Sequence, residues 1–353
     1  MIGSLGKILI PNKEWPELFQ FIFVSTQSQN LAEKEMAMLC LSVIIEYFGL
    51  EEIQTYYDQL NPIIEGYLKS GIASLQTLSI ECVNNLAQIP KAVSVLKKYN
   101  NLIPLTVSAM DMQNEDLCKK VFETFNEFVE IKKVLKPHLP LIIQKALEVL
   151  EDSDFSVNLR ETVIYFLELI AENYCRALIK NHGTAFVDKI IQVGFKVASE
   201  DPEIYQGDEV RPPELAVEMI QIYAFHVPNE RIYPILTKYI QAAGTSQNEH
   251  ERAAATYVLG SIADPDACLD FVRDDLNSYV NFLVDRMQDS SFRVREASAE
   301  TVGFFSEYVA TEFVDHHKKL MPCLMKVAKE LGANSKNDLV VQKMLYAMNE
   351  FVQ

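Results

Sequence analysis

Positive charge is scarce in this chain of 353 residues: lysine and arginine together number 32 against 49 aspartates and glutamates, for a formal net charge of −17. That balance disfavours a phosphate backbone as ligand and favours basic partners, so no direct nucleic-acid contact is expected. No stretch reaches 18 uninterrupted apolar residues, so no membrane-spanning helix is expected either. No Asn-x-Ser/Thr sequon occurs. The six cysteines, Cys40, Cys82, Cys118, Cys175, Cys268 and Cys323, include no CxxC pair and have no histidine at metal-ligand spacing. Spread about once per helical segment within apolar runs, they read as reduced core thiols. No Gly/Ser/Pro-rich linker or composition break divides the chain, which predicts one continuous core.

Reaction chemistry is equally sparse. Gly3-Ser4-Leu5-Gly6-Lys7-Ile8 lacks both the glycine spacing of a phosphate loop and the hydroxyl residue after its lysine. Asp315-His316-His317 could be drawn as a metal corner, but adjacent helical residues point about 100° apart and do not converge on one ion. His138, His182, His226 and His250 are scattered with no partnered nucleophile. No catalytic constellation, cofactor site or metal site emerges, and the expectation is a protein that is not an enzyme.

What is present is a period. Six prolines sit between apolar neighbours on what reads as one helical turn: Pro16, Pro62, Pro104, Pro140, Pro234 and Pro322. Their intervals are 46, 42, 36, 94 and 88 residues. If the last two each skip one degenerate copy, the spacing is about 44 residues, the length of a two-helix HEAT unit. The expectation is an all-α HEAT-repeat solenoid, a right-handed superhelix of about eight antiparallel helix pairs. The pairs are placed over residues 14–48, 56–88, 94–130, 134–172, 184–226, 231–263, 274–309 and 316–351. Asp152-Ser153-Asp154-Phe155-Ser156-Val157 and Asp289-Ser290-Ser291-Phe292-Arg293-Val294 each open a second helix, with Asp and Ser expected to cap its free N–H groups. Both chain ends read as cut from a longer array, since terminal repeats normally carry polar caps.

Such arrays bind extended partners along a concave wall, so candidate binding residues are sought on the second helices. Glu123, Asn126, Glu127 and Glu130 recur at helical spacing in the third unit, Glu161, Tyr165, Glu168 and Glu172 in the fourth, and Glu296, Glu300 and Glu307 in the seventh. Weaker versions run through Glu35, Ser42 and Glu46, through Glu81, Asn84 and Asn85, and through Glu214, Glu218 and Gln221. With lysine and arginine sparse on these stripes, the expectation is an acidic track that attracts Lys/Arg-rich segments. The fifth unit carries a long inserted loop, 199–213, with Glu200, Asp201, Glu203, Asp208 and Glu209. Insertions within a repeat usually map to one face, often the binding face, and Ile204 and Tyr205 offer apolar anchors within this one.

The segment Lys7-Ile8-Leu9-Ile10-Pro11-Asn12-Lys13-Glu14-Trp15-Pro16-Glu17-Leu18-Phe19 resembles a repeat opening of importin-beta superfamily nuclear transport receptors, where a helix end, "IP" and "WPELL" follow in order. Leu135-Lys136-Pro137-His138-Leu139, Glu168-Leu169-Ile170-Ala171-Glu172, the acidic insertion and Val284 to Ala297 continue the pattern of the amino-terminal half of the subgroup containing importins four and five. The resemblance implies a receptor, here a monomer, that binds basic cargo and releases it to Ran GTPase. It also implies passage through the nuclear pore by weak contacts with FG-repeat nucleoporins, and shuttling between cytoplasm and nucleus. By the placement of Trp15 the chain would lack the extreme amino-terminal stretch that carries the family's main Ran contact. The competing class is a HEAT scaffold subunit of a cytosolic complex, which would show the same period.

Overall fold

The computed structural model describes residues 2–12, 14–89, 96–205, 211–334 and 338–350. Among them every regular element is helical. The chain divides into two compact units, residues 1–169 and 170–353.

In the first unit the helices are α1 (Ile2–Leu9), α2 (Pro16–Ser25), α3 (Leu31–Ile45), α4 (Leu50–Thr55), α5 (Tyr57–Leu68), α6 (Ala73–Ala87), α7 (Leu102–Ser108), α8 (Glu115–Phe128), α9 (Lys132–Leu135) and α10 (Leu139–Glu151), followed by the first half of α11 (Val157–His182). Local chemistry sets their starts. Pro16 opens α2 and Pro140 stands in the first turn of α10, where a missing N–H costs nothing. Asn30 Oδ1 accepts from Ala32 N to cap α3, and Asn114 Oδ1 accepts from Leu117 N at 3.1 Å to cap α8. The second helices α3, α6 and α8 pack side by side, while α5, α7 and α10 form the other layer. Between the layers, Phe122 and Phe125 on α8 are fully buried, with centroids 5.8 and 6.3 Å from Phe166 on α11. Each such burial contributes about 1.5–3 kcal/mol. Neighbouring second helices are also joined by polar bonds across the repeat interval, Asn85 Nδ2 donating to Ser42 O at 2.8 Å.

The second unit starts within α11 and continues through α12 (Ala185–Ala198), α13 (Pro212–His226), α14 (Asn229–Gly244), α15 (Glu249–Ser261), α16 (Leu269–Asp274), α17 (Leu276–Arg286), α18 (Phe292–Tyr308), α19 (Ala310–Phe313), α20 (His317–Asn334) and α21 (Asp338–Glu350). Expected to stop at 172, α11 continues ten residues further because Tyr174, Cys175 and Leu178 carry its buried stripe onward. It ends at Gly183, whose φ of 70° suits the left-handed cap, with its N–H donating to Ile179 O. Here too the second helices stack in sequence, α13 on α15, α15 on α18 and α18 on α21.

Equivalent side chains 43 residues apart repeat one linkage in this unit. Arg252 on α15 donates from its Nη1 to Ser246 O and Gln247 O, and from Nε and Nη2 to Asp289 at 2.7 and 2.8 Å. Arg295 on α18 does the same one repeat later, Nη1 to Asp289 O and Ser290 O, Nε to Glu330 at 2.7 Å. Thr301 Oγ1 donates to Thr256 O at 2.8 Å between the same two helices. The aspartates expected to cap helices act differently. Asp152 and Asp289 accept from the N–H two residues on, Asp154 and Ser291, and so shape the turn, while Asp289 holds the preceding repeat through Arg252.

Candidate functional site

The expected site residues fall into three groups by surroundings. On α8 of the first unit, Glu127 is exposed and Glu130 lies in the turn just past the helix end rather than on it. Glu123 is half-exposed and makes ion pairs at 3.8 Å with both Lys119 and Lys120, and Lys120 also reaches Glu81 at 3.3 Å. Two lysines of α8 itself, one turn before Glu123, therefore intrude on a stripe expected to be nearly free of them. Asn126 is half-buried, and its Oδ1 is buried with no hydrogen-bond partner. On α11, Glu161 and Tyr165 are exposed and Glu168 is half-buried within the first unit, and Glu172 is exposed in the second.

In the second unit the structure assembles something tighter. Glu214 on α13, Tyr257 on α15 and Glu300 on α18 are spaced 43 residues apart on three consecutive stacked helices. Tyr257 packs against Ala253, Val294 and Ala297. Burial raises its phenol well above the usual tyrosine range, the negative charges of Glu300, Glu296 and Glu214 raise it further, and Arg293 opposes them. Burial and then the adjacent Glu214 also hold the Glu218 carboxyl above its ordinary value. Burial is the larger cause of both shifts, and the negative charges of Glu214, Glu296 and Glu300 that add to it around the phenol would stabilise a cation there. Arg293 belongs to the same cluster, and its Nε is buried without a partner. Glu307, further along α18, is exposed.

Tyr257 and Arg293 were not among the expected site residues. The signal was available in the 43-residue spacing of Glu214, Tyr257 and Glu300, but a stripe sought by acidity alone passes over a tyrosine.

The insertion is partly anchored. Pro202 and Tyr205 are buried in a short 3-10 turn, the Tyr205 hydroxyl donates to Glu200 at 2.5 Å, and Asp201 accepts from Glu203 N at 2.9 Å. Tyr205 thus serves the fold, and Ile204 remains exposed. Pro212 and Pro213 open α13 and are buried. Asp208 and Glu209 lie outside the described residues. Among the described residues no group of three His, Cys, Asp or Glu side chains could hold a metal, and no helix is long and apolar enough to cross a membrane.

Stacked helix pairs at a 43-residue interval define a HEAT-type α-solenoid; the interval is too long for the 34-residue TPR unit. A family model described as "IPO5-like, TPR repeats" matches residues 1–145. Importin-4 of Mus musculus is 25% identical over 92% of this chain, and Importin-4 of Homo sapiens is 25% identical over 90%. The chain spans 31% of the length of each. Among solved structures, Kap121p superposes with a TM-score of 0.76 at 21% identity, covering 96% of this chain and 33% of that one. Kap121p has also been solved bound to RanGTP, to Nup53p, to Ste12p and to Pho4p. The chain is thus similar to importins over most of its length, matches the IPO5-like family model over residues 1–145, and shares the fold of Kap121p.

Proposed function

We propose that this chain forms part of a nuclear import receptor and that its second-helix faces hold Lys/Arg-rich segments of cargo. The observation that carries the reading is the cluster of Glu214, Glu296 and Glu300 around Tyr257. A lysine ammonium set against that tyrosine would meet carboxylates from two helices and an aromatic ring, and the net charge of −17 would speed its arrival. Glu123, Glu127, Glu130, Glu161, Glu168, Glu172 and Glu307 extend the acidic character beyond that cluster and contribute chiefly to the long-range field. Glu123, already paired with two lysines, contributes least.

Kap121p's structures with RanGTP, Nup53p, Ste12p and Pho4p support assigning a Ran GTPase, a nucleoporin and cargo as this protein's partners, with shuttling between cytoplasm and nucleus. The acidic insertion, through Glu200, Asp201, Glu203, Asp208 and Glu209, competes with basic cargo at high effective concentration and speeds its release. The test is retention of the full-length protein on an immobilised lysine-rich peptide with and without Ran·GTP. A receptor leaves the peptide when the GTPase is added, and a scaffold subunit stays bound.

A further inference from the structure

Away from the second-helix faces, the first unit carries charge of the opposite sign. In a chain with 49 aspartates and glutamates, the run from Cys82 to Met110 and the run from Ile131 to Leu147 hold none. Each contains the segment that leads into a first helix: the 3-10 turn Lys97–Tyr99 before α7, and α9 with the 3-10 turn Lys136–His138 before α10. Helices α7 and α10 pack side by side, and His138 Nε2 lies 3.1 Å from Asn100 Oδ1, so the two segments meet. Lys98 and Lys136 each stand two residues before that contact. The side chains of Lys97, Lys98, Lys133 and Lys136 are exposed, and among the described residues none of the four pairs with a carboxylate. Residues 1, 13 and 90–95, the rest of this unit, include no aspartate or glutamate. The surface is held in place. Tyr57 of α5 donates from its hydroxyl to Lys98 O at 2.9 Å, its ring centroid lies 5.6 Å from the Lys98 ammonium, and Tyr99 packs edge-on against it with centroids 4.9 Å apart.

We propose that this lysine patch docks an Asp/Glu-rich segment of a partner protein, on elements other than those assigned to basic cargo. Four exposed ammoniums without a carboxylate partner raise the local potential, and carboxylates arriving there gain pairs without breaking any. The charges are spread over two helix openings, and arginine, whose fork grips a single phosphate or carboxylate, is absent from both runs. That spread suits carboxylates in succession better than one compact anion. A nucleic acid would carry its phosphates past the patch and onto a chain of net charge −17, whereas a short acidic segment ends where the lysines end.

The probe is a fluorescein-labelled peptide of alternating glutamate and serine, read by fluorescence anisotropy with the whole chain. It should bind saturably at low salt and be released as salt is added. The variant Lys97→Gln, Lys98→Gln, Lys133→Gln, Lys136→Gln should weaken it at least about tenfold, and Lys98→Gln with Lys136→Gln alone about threefold. The control Lys69→Gln, Lys119→Gln, Lys120→Gln, Lys238→Gln removes the same charge from lysines already paired with Glu65, Glu123, Glu81 and Asp188, and should weaken it less than about twofold. Circular dichroism checks that helix content is the same in all of these chains. No saturable binding by the unaltered chain, an equal loss in the patch variant and the control, or tighter binding of a DNA duplex or of phosphatidylserine vesicles than of the peptide would each overturn the proposal.

Discussion

Asp289 shapes its own turn through Ser291 N and receives two guanidinium bonds from Arg252, with side-chain exposures of only 7% for Asp289 and 12% for Arg252. Removing it by Asp289→Ala leaves Arg252 and Arg286 as largely buried charges without their shared partner, at a cost of about 3–5 kcal/mol. Hydrogen exchange localised to α15 and α18 is the readout, because each repeat depends mainly on its neighbours. Burial pushes the Asp289 carboxyl upward, but the Arg252 bonds, the Ser291 N–H and the Arg252 and Arg286 charges outweigh it and hold the group below its ordinary value. A depressed carboxyl stabilises the fold above its unfolded pKa and ceases to do so as pH falls through its folded value. Protection in α15 and α18 should therefore hold from pH 8 to 5 and decline below about pH 4. The aspartate was legible as a turn residue, but its partner 37 residues earlier was not, because pairing across a repeat depends on stacking register. The cysteines were legible as core thiols except for Cys323, which is half-buried. Five are buried, and burial pushes Cys118 up to about 11 and Cys268 up to about 12. Ellman's reagent at pH 8 should label at most Cys323 quickly in the native chain and all six thiols after denaturation.

At the scale of helices, two glycines predict opposite outcomes. A Cβ on Gly260 of α15 would lie 2.9 Å from Thr301 Oγ1 and 3.4 Å from Thr301 Cα, so α15 and α18 approach closely because that side chain is missing. Gly260→Val should cost about 1–3 kcal/mol through overpacking. Gly66 on α5 has nothing within 4 Å of its Cβ position, and Gly66→Ala should stabilise by about 0.5–1 kcal/mol through helix propensity alone. Thermal scans of the two variants check the pair. Helix starts were readable where proline or asparagine marks them, as at Pro16, Asn114 and Pro212. Ends were harder: α11 continues to His182 because its apolar stripe is renewed by Tyr174, Cys175 and Leu178, and only Gly183 stops it.

On the scale of the whole molecule, the proline period and the resemblance around Trp15 carried the fold class, because a repeat writes its length into the sequence several times over. The site was less legible. Acidity along single helices pointed to Glu296 and Glu300, while their convergence with Glu214 on Tyr257 depends on three helices stacking in register. A chain in which repeats contact mainly their neighbours, with a net charge of −17, is expected to capture basic segments quickly and to lose them as salt is added. The most direct test is the affinity of a lysine-rich peptide, measured across a salt series, for the unaltered chain and for the triple variant Glu214→Gln, Glu296→Gln, Glu300→Gln. Three partly exposed pairs at about 0.2–1 kcal/mol each predict a loss of about tenfold at low salt and a flatter salt dependence, with helix content unchanged. Equal affinity and an equal salt slope for the two chains would contradict the account.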